Sequence, residues 1–425
     1  MDLRGRREID PALIRKMNEV QLHRGPDEQG TLFEPGIGLG HQRLSIIDLG
    51  HGQQPLFNED GSVAVVYNGE IYNFQSLVTE LSSLGHQFRT RCDTEVIVHA
   101  WEEWGEDCVT RFRGMFAFAV WDRNSESLFL ARDRLGVKPL YYAEVSDGMF
   151  IFGSELKALL EHPALEREID PLAVEEYFAL GYVAEPRTIY RQARKLPPAM
   201  RLTIRRGKKV AEPTPYWDVR FTNDSALSLD AAMDELNERL LESVRLRMIA
   251  DVPLGAFLSG GVDSSAVVAK MSALSSAPVN TCSIAFDEPA FNEAEFAEQV
   301  ARRYETDHFV KTVAVDDFDL IDTLAGLYDE PYADSSAIPT YRVCELARQR
   351  VKVALSGDGG DEIFGGYRRY RLHLMEERMR RTMPLALRRP LFGALGRLYP
   401  KADWAPRFLR AKTTFEGLAR DSVQG

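Results

Sequence analysis

The most constraining stretch of this sequence is FLSGGVDSS, residues 257–265, which lies between a short apolar run and a helical pattern. From residue 229 onward the hydrophobic periodicity alternates between helix and strand. The predicted helices are 229–250, 264–273 and 293–304, and the predicted strands are 255–258, 280–286 and 351–355. Such alternation predicts a parallel sheet, whose ligands bind beyond the carboxyl ends of its strands. Residues 257–265 are therefore expected at a ligand-binding position.

Residues 259–265 have the composition of a loop that surrounds a phosphate. Gly260 and Gly261 let backbone N–H groups converge on an anion, and the start of the following helix favours negative charge there. Three hydroxyls add further donors: Ser259, Ser264 and Ser265. Asp263 is explained if it binds Mg²⁺ that bridges phosphate oxygens. The alternative is a simple Gly-Gly turn in which Ser264 caps the helix.

The first 160 residues are dominated by strand patterns instead. Strands are predicted over 62–67, 115–121, 127–131 and 150–153, and helices over 11–21, 94–104 and 155–160. The first of these strands is expected to stop at Asn68-Gly69, a strong turn dipeptide. A proline-rich segment, 186–218, separates the strand-rich part of the chain from the part in which helices and strands alternate. This segment is predicted to be a linker. The predicted domains are therefore 1–185 and 219–425.

Composition limits the kind of partner this chain can have. A length of 425 residues favours two domains over a single core. The net charge of −12 disfavours nucleic acid or an anionic membrane as a partner. The four cysteines are scattered, as in reduced proteins, and the charged N-terminus lacks the apolar core of a signal peptide. No apolar run approaches the roughly 20 residues of a membrane helix. We expect a soluble, cytoplasmic protein.

Several motifs together resemble one enzyme family. SGGVDSS resembles the pyrophosphate loop of the ATP-pyrophosphatase superfamily, and SGDGGDEIFGGY (356–367) with DEPYADSSAIPTY (329–341) resembles the glutamine-dependent asparagine synthetases. Upstream, the sequence is similar to that family's glutaminase domain, in order, at HRGPDEQG, RLSIIDL, YNGEIYNF, CDTEVI and GSELKALL. The resemblance implies an α+β Ntn-hydrolase sandwich (αββα), the class II glutamine amidotransferase domain. An α/β parallel-sheet ATP-pyrophosphatase domain is expected to follow it.

The resemblance implies a set of synthetase residues. ATP is expected to contact Leu258, Ser259, Gly260, Gly261, Asp263, Ser264, Ser265, Ile284, Ser356 and Gly357. The same resemblance places Asp263 and Asp361 on Mg²⁺. Asp358 is implied as the base for the attacking ammonia, and its alternative role is to cap a glycine-rich loop. Glu330, Asp334 and Ser335 are expected either to contact the amino-acid substrate or to be plain loop residues.

The resemblance also implies a glutamine site in the N-terminal domain. Arg43 is expected to pair with the α-carboxylate of glutamine and Asp93 with its α-amino group, with Glu70 near the same end. The Asn68 amide and the Gly69 N–H are implied as the oxyanion hole, and a hairpin turn at these residues is compatible with that role. Arg24 is expected to be structural.

The chain departs from the family pattern at both ends. Members open with Met-Cys-Gly-Ile, whose cysteine is the nucleophile, but this chain opens with MDLRG, and it stops before the usual C-terminus. As written, it is not expected to hydrolyse glutamine. Three functions are open: an asparagine synthetase using ATP, Mg²⁺, aspartate and glutamine or ammonia; a paralogue acting on another carboxylate; and an inactive ATP- or glutamine-binding remnant. A homodimer is compatible with each.

Overall fold

The structure is a computed structural model that describes residues 1–222, 226–286, 293–313, 320–401, 404, 406 and 410–421. Its residues form two compact units, 1–356 and 357–425. The strands are β1 Glu28–Glu34, β2 Ile37–Arg43, β3 Leu56–Phe57, β4 Val63–Ile71, β5 Gly114–Asp122, β6 Ser127–Arg132, β7 Tyr141–Glu144, β8 Phe150–Gly153, β9 Ala193–Lys195, β10 Met200–Arg205, β11 Thr214–Pro215, β12 Leu254–Phe257, β13 Asn280–Phe286, β14 Asp307–Val313 and β15 Val353–Leu355. The helices of the first unit are α1 Pro11–Glu19, α2 Phe74–Leu84, α3 Glu95–Trp104, α4 Leu156–Leu160, α5 Pro171–Leu180, α6 Leu229–Arg247, α7 Val262–Leu274, α8 Ala294–Arg303, α9 Ile321–Leu327 and α10 Ala337–Ala347.

The N-terminal part of the first unit is built on a six-stranded sheet in the order β11-β10-β6-β5-β4-β3. Its two central strands are apolar on both faces, because both faces are covered. Along β5, Phe116 and Phe118 point into a core shared with α2 and α3. Ala117 and Ala119, between and beyond them, point into a second core on the opposite face. This alternation follows from the two-residue period of a strand.

Two smaller sheets cover the second face. They are the β1-β2 pair and a three-stranded sheet in the order β8-β7-β9. The three-stranded sheet buries Ala143 and Ile151 together with residues of α1, α4 and α5. The layers therefore run helix, sheet, sheet, helix. This confirms the αββα sandwich expected for the N-terminal domain.

The segment 186–218, predicted to be a linker, contains three strands. β9 pairs with β7, and β10 pairs with β6 in the six-stranded sheet. Leu202 and Ile204 of β10 are buried in the core of the sandwich. We therefore propose that the boundary of the N-terminal domain lies after β11.

The C-terminal part of the first unit contains a four-stranded sheet in the order β14-β13-β12-β15, and all its neighbours are parallel. Residues of α6, α7 and α8 pack on one face, and residues of α10 pack on the other. This confirms the predicted α/β parallel-sheet domain. The chain moves outward from β12 to β14 and then returns to the other side of β12 with β15. The order of the strands therefore reverses between β12 and β15, which is where α/β sheets bind ligands.

The described residues of the second unit form four helices: α11 Gly360–Phe364, α12 Arg368–Thr382, α13 Leu385–Leu398 and α14 Lys412–Leu418. Arg380 of α12 and Arg388 of α13 are buried, and their guanidinium groups donate to the carbonyls of Gly417 and Leu418 at the end of α14. These bonds satisfy carbonyls that the end of a helix leaves open. In the described part of the chain, no helix is both long and apolar enough to cross a bilayer.

Candidate active sites

A cavity of about 480 Å³ lies inside the N-terminal sandwich. Its wall includes all five residues that the resemblance assigns to glutamine: Arg43, Asn68, Gly69, Glu70 and Asp93. They come from three separate segments of the chain, namely the end of β2, the second half of β4 and the turn before α3. The fold therefore gathers the predicted residues around one space large enough for a small molecule.

The wall of the cavity at β4 is an open strand edge. Past the two-residue strand β3, the backbone of β4 on that side bonds to side chains instead of a strand. The Tyr67 N–H donates to Gln54 Oε1 (2.7 Å), and His41 Nε2 donates to the Tyr67 carbonyl (2.8 Å). The Ile71 N–H donates to Asp93 Oδ2 (2.9 Å). Because backbone groups alternate sides along a strand, the N–H of Gly69 faces this same edge.

The close packing of β4 against β5 requires glycine at position 69. A Cβ at this position would lie 2.1 Å from the Met115 carbonyl oxygen and 2.8 Å from the Phe116 Cα. The predicted turn at Asn68-Gly69 is wrong, because β4 continues through both residues to Ile71 and pairs with β5 throughout. Nine residues of antiparallel pairing outweigh a two-residue turn preference. The glycine serves the close approach of two strands.

Arg43 is buried and held by the surrounding backbone. Its Nη1 donates to Glu28 Oε2 at 2.6 Å, and its Nη2 donates to the carbonyls of Ile47 (3.1 Å) and Asp48 (2.8 Å). Glu28 is about one third exposed in its side chain, whereas Arg43 is almost fully enclosed. A guanidinium fixed in this way offers a positive charge in a defined direction.

The acidic groups of the cavity perturb one another. Burial and the neighbouring Asp93 carboxylate raise the pKa of Glu70 to about 9, against the opposing effect of Lys138. Burial also raises the pKa of Asp93, although Asp93 Oδ2 accepts from the Tyr67 hydroxyl at 2.7 Å. Two carboxyl groups in one buried space resist ionising together. A positively charged group that enters the cavity would therefore be favoured beside these two carboxyl groups.

Cys92 is the cysteine in the cavity wall. Its Sγ lies 3.5 Å from Asp93 Oδ1 and 3.2 Å from Thr94 Oγ1. Burial, followed by the charge of Asp93, raises the pKa of the Cys92 thiol to about 12. A reactive cysteine needs the opposite shift, since the thiolate is the nucleophile. This environment suits a structural thiol.

Several basic residues of the cavity wall were not predicted from the sequence, among them Lys138 and His41. Burial lowers the pKa of Lys138, and burial lowers the pKa of His41 to about 4. Neither residue belongs to a motif that carries the resemblance, and each reaches the cavity through contacts distant in sequence. Arg24, expected to be structural, donates to Glu155 Oε1 at 3.1 Å and also lines the cavity.

The second site is the loop between β12 and α7, which is tied together by its hydroxyls. Ser259 Oγ and Ser264 Oγ are 3.0 Å apart, and Ser265 Oγ donates to the Gly261 carbonyl at 2.6 Å. Gly260 has a φ of +84°, and a Cβ there would lie 2.6 Å from the backbone nitrogen of Ala297. The loop is therefore compact, and glycine at position 260 is required by both its backbone angle and its neighbour.

The loop leads directly into a helix of 13 residues, α7. Gly261 is its N-cap, and Asp263 lies in the first turn with its side chain half-buried. No side chain of a described residue caps this helix start. Uncapped N–H groups at the start of a helix are a binding place for anions. Ser264 is buried and bonded within the loop, so the alternative role as N-cap is wrong.

Leu258 and Ile284 are both predicted to contact ATP. Leu258 is buried in the core on the α7 face, and its N–H donates to the Cys282 carbonyl at 2.9 Å. Ile284, on β13, is half-buried. The side chain of Leu258 thus contributes to packing, whereas Ile284 retains exposed surface. Contact of either residue with ATP stays a prediction.

Ser356 follows the carboxyl end of β15, whose neighbour is β12. The loop that begins at Leu258 follows the carboxyl end of β12. The two segments therefore start at adjacent strand ends, at the point where the strand order reverses. Gly357, Asp358 and Asp361 belong to the second unit, with Asp361 in α11, and their predicted roles stay predictions.

Glu330 is a largely buried ion-pair partner. Its Oε2 lies 2.6 Å from Lys195 Nζ of β9, and its Oε1 accepts from the Ile189 N–H at 2.7 Å. The preceding Asp329 pairs with Lys157 at 3.2 Å. Both carboxylates thus join the 329–341 segment to the N-terminal sandwich. By contrast, Asp334 is exposed and caps its own turn by accepting from the Ser336 N–H.

Comparison with known proteins agrees with this division into two sites. Residues 3–217 match the family model of the glutamine amidotransferase domain, and residues 235–424 match the asparagine synthase model. The chain belongs to the asparagine synthetase family. The cavity residues lie within the first match, and the loop between β12 and α7 lies within the second.

Several curated asparagine synthetases are similar over most of this chain. A putative asparagine synthetase of Methanocaldococcus jannaschii is 40% identical over 85% of the chain and 73% of its own length. Asparagine synthetase 1 of Bacillus subtilis is 37% identical over 84% of the chain and 56% of its own length. A putative asparagine synthetase of Mycobacterium bovis is 38% identical, with 84% and 57% covered. The chain thus spans little more than half the length of two of these relatives.

Proposed function

We propose that this member of the asparagine synthetase family joins ammonia to the side-chain carboxylate of aspartate at the expense of ATP. The observation that carries the proposal is the position of the loop between β12 and α7. It places backbone amides, hydroxyls and Asp263 at the reversal of the strand order, beside Ser356. That combination suits the phosphates of a nucleotide.

The proposed reaction has two steps. A carboxylate oxygen of aspartate attacks the α-phosphorus of ATP, which forms an acyl-adenylate and releases pyrophosphate. Ammonia then attacks the acyl carbon, AMP leaves, and one proton is released as the amide forms. The products are asparagine, AMP and pyrophosphate. The amides at the start of α7 would face the charge that builds up on the departing pyrophosphate.

Asp263 fits the binding of Mg²⁺, which usually takes one or two carboxylates besides phosphate oxygens. It is a half-buried carboxylate in the first turn of α7, beside the proposed phosphate position. Without a cation, its negative charge would repel the nucleotide. Asp361 is proposed as the second carboxylate. When bound, Mg²⁺ would neutralise charge on the phosphate oxygens. Asp358 is proposed to receive the proton of the attacking ammonia.

The cavity of the N-terminal sandwich is proposed to bind glutamine. The positive charge of Arg43 suits the α-carboxylate, and Asp93 with Glu70 suits the α-ammonium group. The Gly69 N–H, at the open edge of β4, is proposed to donate to the carbonyl oxygen of the side-chain amide, with the Asn68 amide beside it. Cys92 is not proposed as the nucleophile, because its pKa is raised to about 12.

The test is pyrophosphate release by the purified chain with ATP, Mg²⁺ and aspartate, with either ammonium or glutamine as the nitrogen donor. The proposal expects asparagine and pyrophosphate in equal amounts from ammonium. The same assay with glutamine measures whether this chain also releases ammonia from glutamine. Pyrophosphate release that needs another carboxylate in place of aspartate would show a paralogous acceptor. A folded chain that binds ATP and releases no pyrophosphate would contradict the proposal.

The location and the partners of the protein are also part of the proposal. All the proposed substrates are small molecules of the cytoplasm, so we propose that location. The net charge of −12 argues against a nucleic acid as a partner. A homodimer is proposed by resemblance to the family, and sedimentation of the purified chain would test it.

A further inference from the structure

A second polar cluster lies outside both proposed active sites, on the α2–α3 side of the sandwich. We call Glu59, His86, His99 and Glu102 the histidine–glutamate cluster. One ligand atom from each residue lies within 4.8 Å of those of the others. Glu59 lies between β3 and β4, His86 follows α2, and the other two residues are three positions apart on α3. Three separate segments therefore meet at this point.

His99 is the observation that singles out this cluster. Its side chain is completely buried, yet neither ring nitrogen makes a hydrogen bond to a described residue. Buried polar atoms in folded proteins almost always have a partner. The Nδ1 atom points toward two carboxylates, Glu59 Oε2 at 3.3 Å and Glu102 Oε2 at 3.6 Å. Both separations are longer than the usual N–H···O distance of about 2.7–3.2 Å, and both suit two ligands that share one metal ion.

The spacing matches a tetrahedral metal site. Imidazole and carboxylate ligands bind Zn²⁺ at about 2.0 to 2.2 Å, so their donor atoms are about 3.4 Å apart. In addition to the two His99 distances, His86 Nδ1 lies 3.8 Å from Glu102 Oε2, and one ligand atom from each of the four residues lies within 4.8 Å of those of the others. The donor atoms therefore lie close to the corners of the required tetrahedron.

The carboxylates are also oriented for this role. Glu59 Oε1 accepts from the Gln87 N–H at 2.8 Å, and Glu102 Oε1 accepts from Asn58 Nδ2 at 2.7 Å. Each carboxylate therefore has one oxygen anchored by the protein. The other oxygen of each faces His99. A cluster that merely happened to be acidic would not need both side chains fixed in this direction.

The outer nitrogen of each histidine faces a further carboxylate. His99 Nε2 lies 3.6 Å from Glu95 Oε1, and His86 Nε2 lies 3.6 Å from Glu103 Oε2. Glu95 is itself held by the N–H groups of Arg89 and Thr90 at 2.8 and 2.7 Å. A carboxylate behind a metal-binding histidine fixes the ring and strengthens it as a ligand.

We propose that the histidine–glutamate cluster binds one Zn²⁺ ion in a closed, four-ligand structural site. Two imidazoles favour Zn²⁺ over Mg²⁺ or Ca²⁺, which prefer oxygen ligands. The ion would join α3 to the segment that precedes β4. Asp93 lies just before α3, and Asn68 lies on β4, so the site would brace two walls of the cavity.

The test uses the full chain, freed of metal with a chelator and then titrated with Zn²⁺ against a chromophoric competitor. The proposal expects one equivalent of tightly bound Zn²⁺ that excess Mg²⁺ does not displace. Co²⁺ in its place should give the intense visible absorption of a tetrahedral site. His86→Ala and Glu102→Gln should each weaken Zn²⁺ binding at least tenfold, and the double variant at least a hundredfold.

His86 and Glu102 are chosen because both are partly accessible at the edge of the cluster, whereas truncating His99 would leave a hole in the core. Circular dichroism checks that each variant is folded. His373→Ala, at an exposed position of α12, is the matched control and should bind Zn²⁺ like the unaltered chain. Absence of stoichiometric binding would overturn the proposal and leave a polar network of histidine and glutamate. So would binding that survives the double variant.

Discussion

The ion pair between Lys195 and Glu330 gives a sharp prediction, because the sequence leaves a role of Glu330 in substrate binding open, whereas the structure pairs its carboxylate with Lys195. Each side chain is 11% exposed, and the two charged groups are 2.6 Å apart. Lys195 Nζ also donates to the Val183 carbonyl at 2.7 Å. We predict that Lys195→Met, which keeps the apolar stem and removes the charge, loosens the contact between the 329–341 segment and the sandwich.

The magnitude follows from the groups left behind. Glu330 loses a charge-assisted hydrogen bond of about 1.5–3 kcal/mol, and the Val183 carbonyl loses its donor at about 1 kcal/mol. Burial raises the pKa of Glu330, so the carboxyl group can partly escape the loss by taking up a proton. We expect a net cost of about 3 kcal/mol for Lys195→Met. The double variant with Glu330→Gln should recover most of it, because no unpaired charge remains.

Hydrogen exchange at the Ile189 amide is the assay, since that N–H donates to Glu330 Oε1. A local measurement is needed because a chain of two compact units need not unfold in one step. A cost of about 3 kcal/mol corresponds to exchange about a hundredfold faster. Lys208→Met, at an exposed position, is the control and should leave this amide unchanged.

The reasoning fails if Lys195→Met leaves exchange at Ile189 unchanged. It also fails if Glu330→Gln raises KM for aspartate in the ligation assay while the Ile189 amide stays protected. That second result would restore the role in substrate binding that the sequence offered for Glu330.

Four further predictions follow from the two sites. Folding lowers the pKa of His41 from 6.5 to about 4, so the imidazole is neutral in the folded protein. The free energy of unfolding should therefore fall by about 3 kcal/mol as the pH drops from 6.5 to 4. Thermal unfolding of His41→Asn should show a weaker dependence on pH. The pKa of Glu70 is raised to about 9. Glutamine binding that needs the ionised carboxylate should therefore release a proton and become tighter as the pH rises from 6 to 8. Calorimetry in two buffers would measure the released proton. Asp263→Asn should lower pyrophosphate release at least a hundredfold, while Asp234→Asn, exposed on α6, should not. Gly260→Ala should lower the thermal midpoint and weaken ATP binding, because the residue has a φ of +84° and no room for a Cβ.

Periodic patterns in the sequence predicted most of the individual elements. The predicted strand 280–286 is β13 with the same bounds, and the predicted helix 94–104 differs from α3 by one residue at its start. The parallel sheet followed from the alternation of helices and strands. The αββα layers came from the family resemblance, because short strands alone do not show which sheets stack.

Predictions from the sequence are wrong where contacts between distant segments override local preference. Asn68-Gly69 has the composition of a turn, but pairing with β5 holds both residues in a strand. Prolines suggested a linker over 186–218, although Leu202 and Ile204 alternate there as in a strand with one buried face. His99 belongs to no motif, since its partners come from separate segments that only the fold brings together.

The open edge of β4 also bears on how the N-terminal cavity would distinguish substrate from product. Gln54, His41 and Asp93 take the place of a neighbouring strand along this edge, and the backbone of Gly69 lies between their contacts. A primary amide carries an acceptor and donors side by side, as a peptide group does, so the side chain of glutamine would complete the edge like one residue of an added strand. Glutamate has no such donor and would meet the Gly69 carbonyl with a repelling oxygen. On the proposed function, the sheet itself would then favour release of the hydrolysed product.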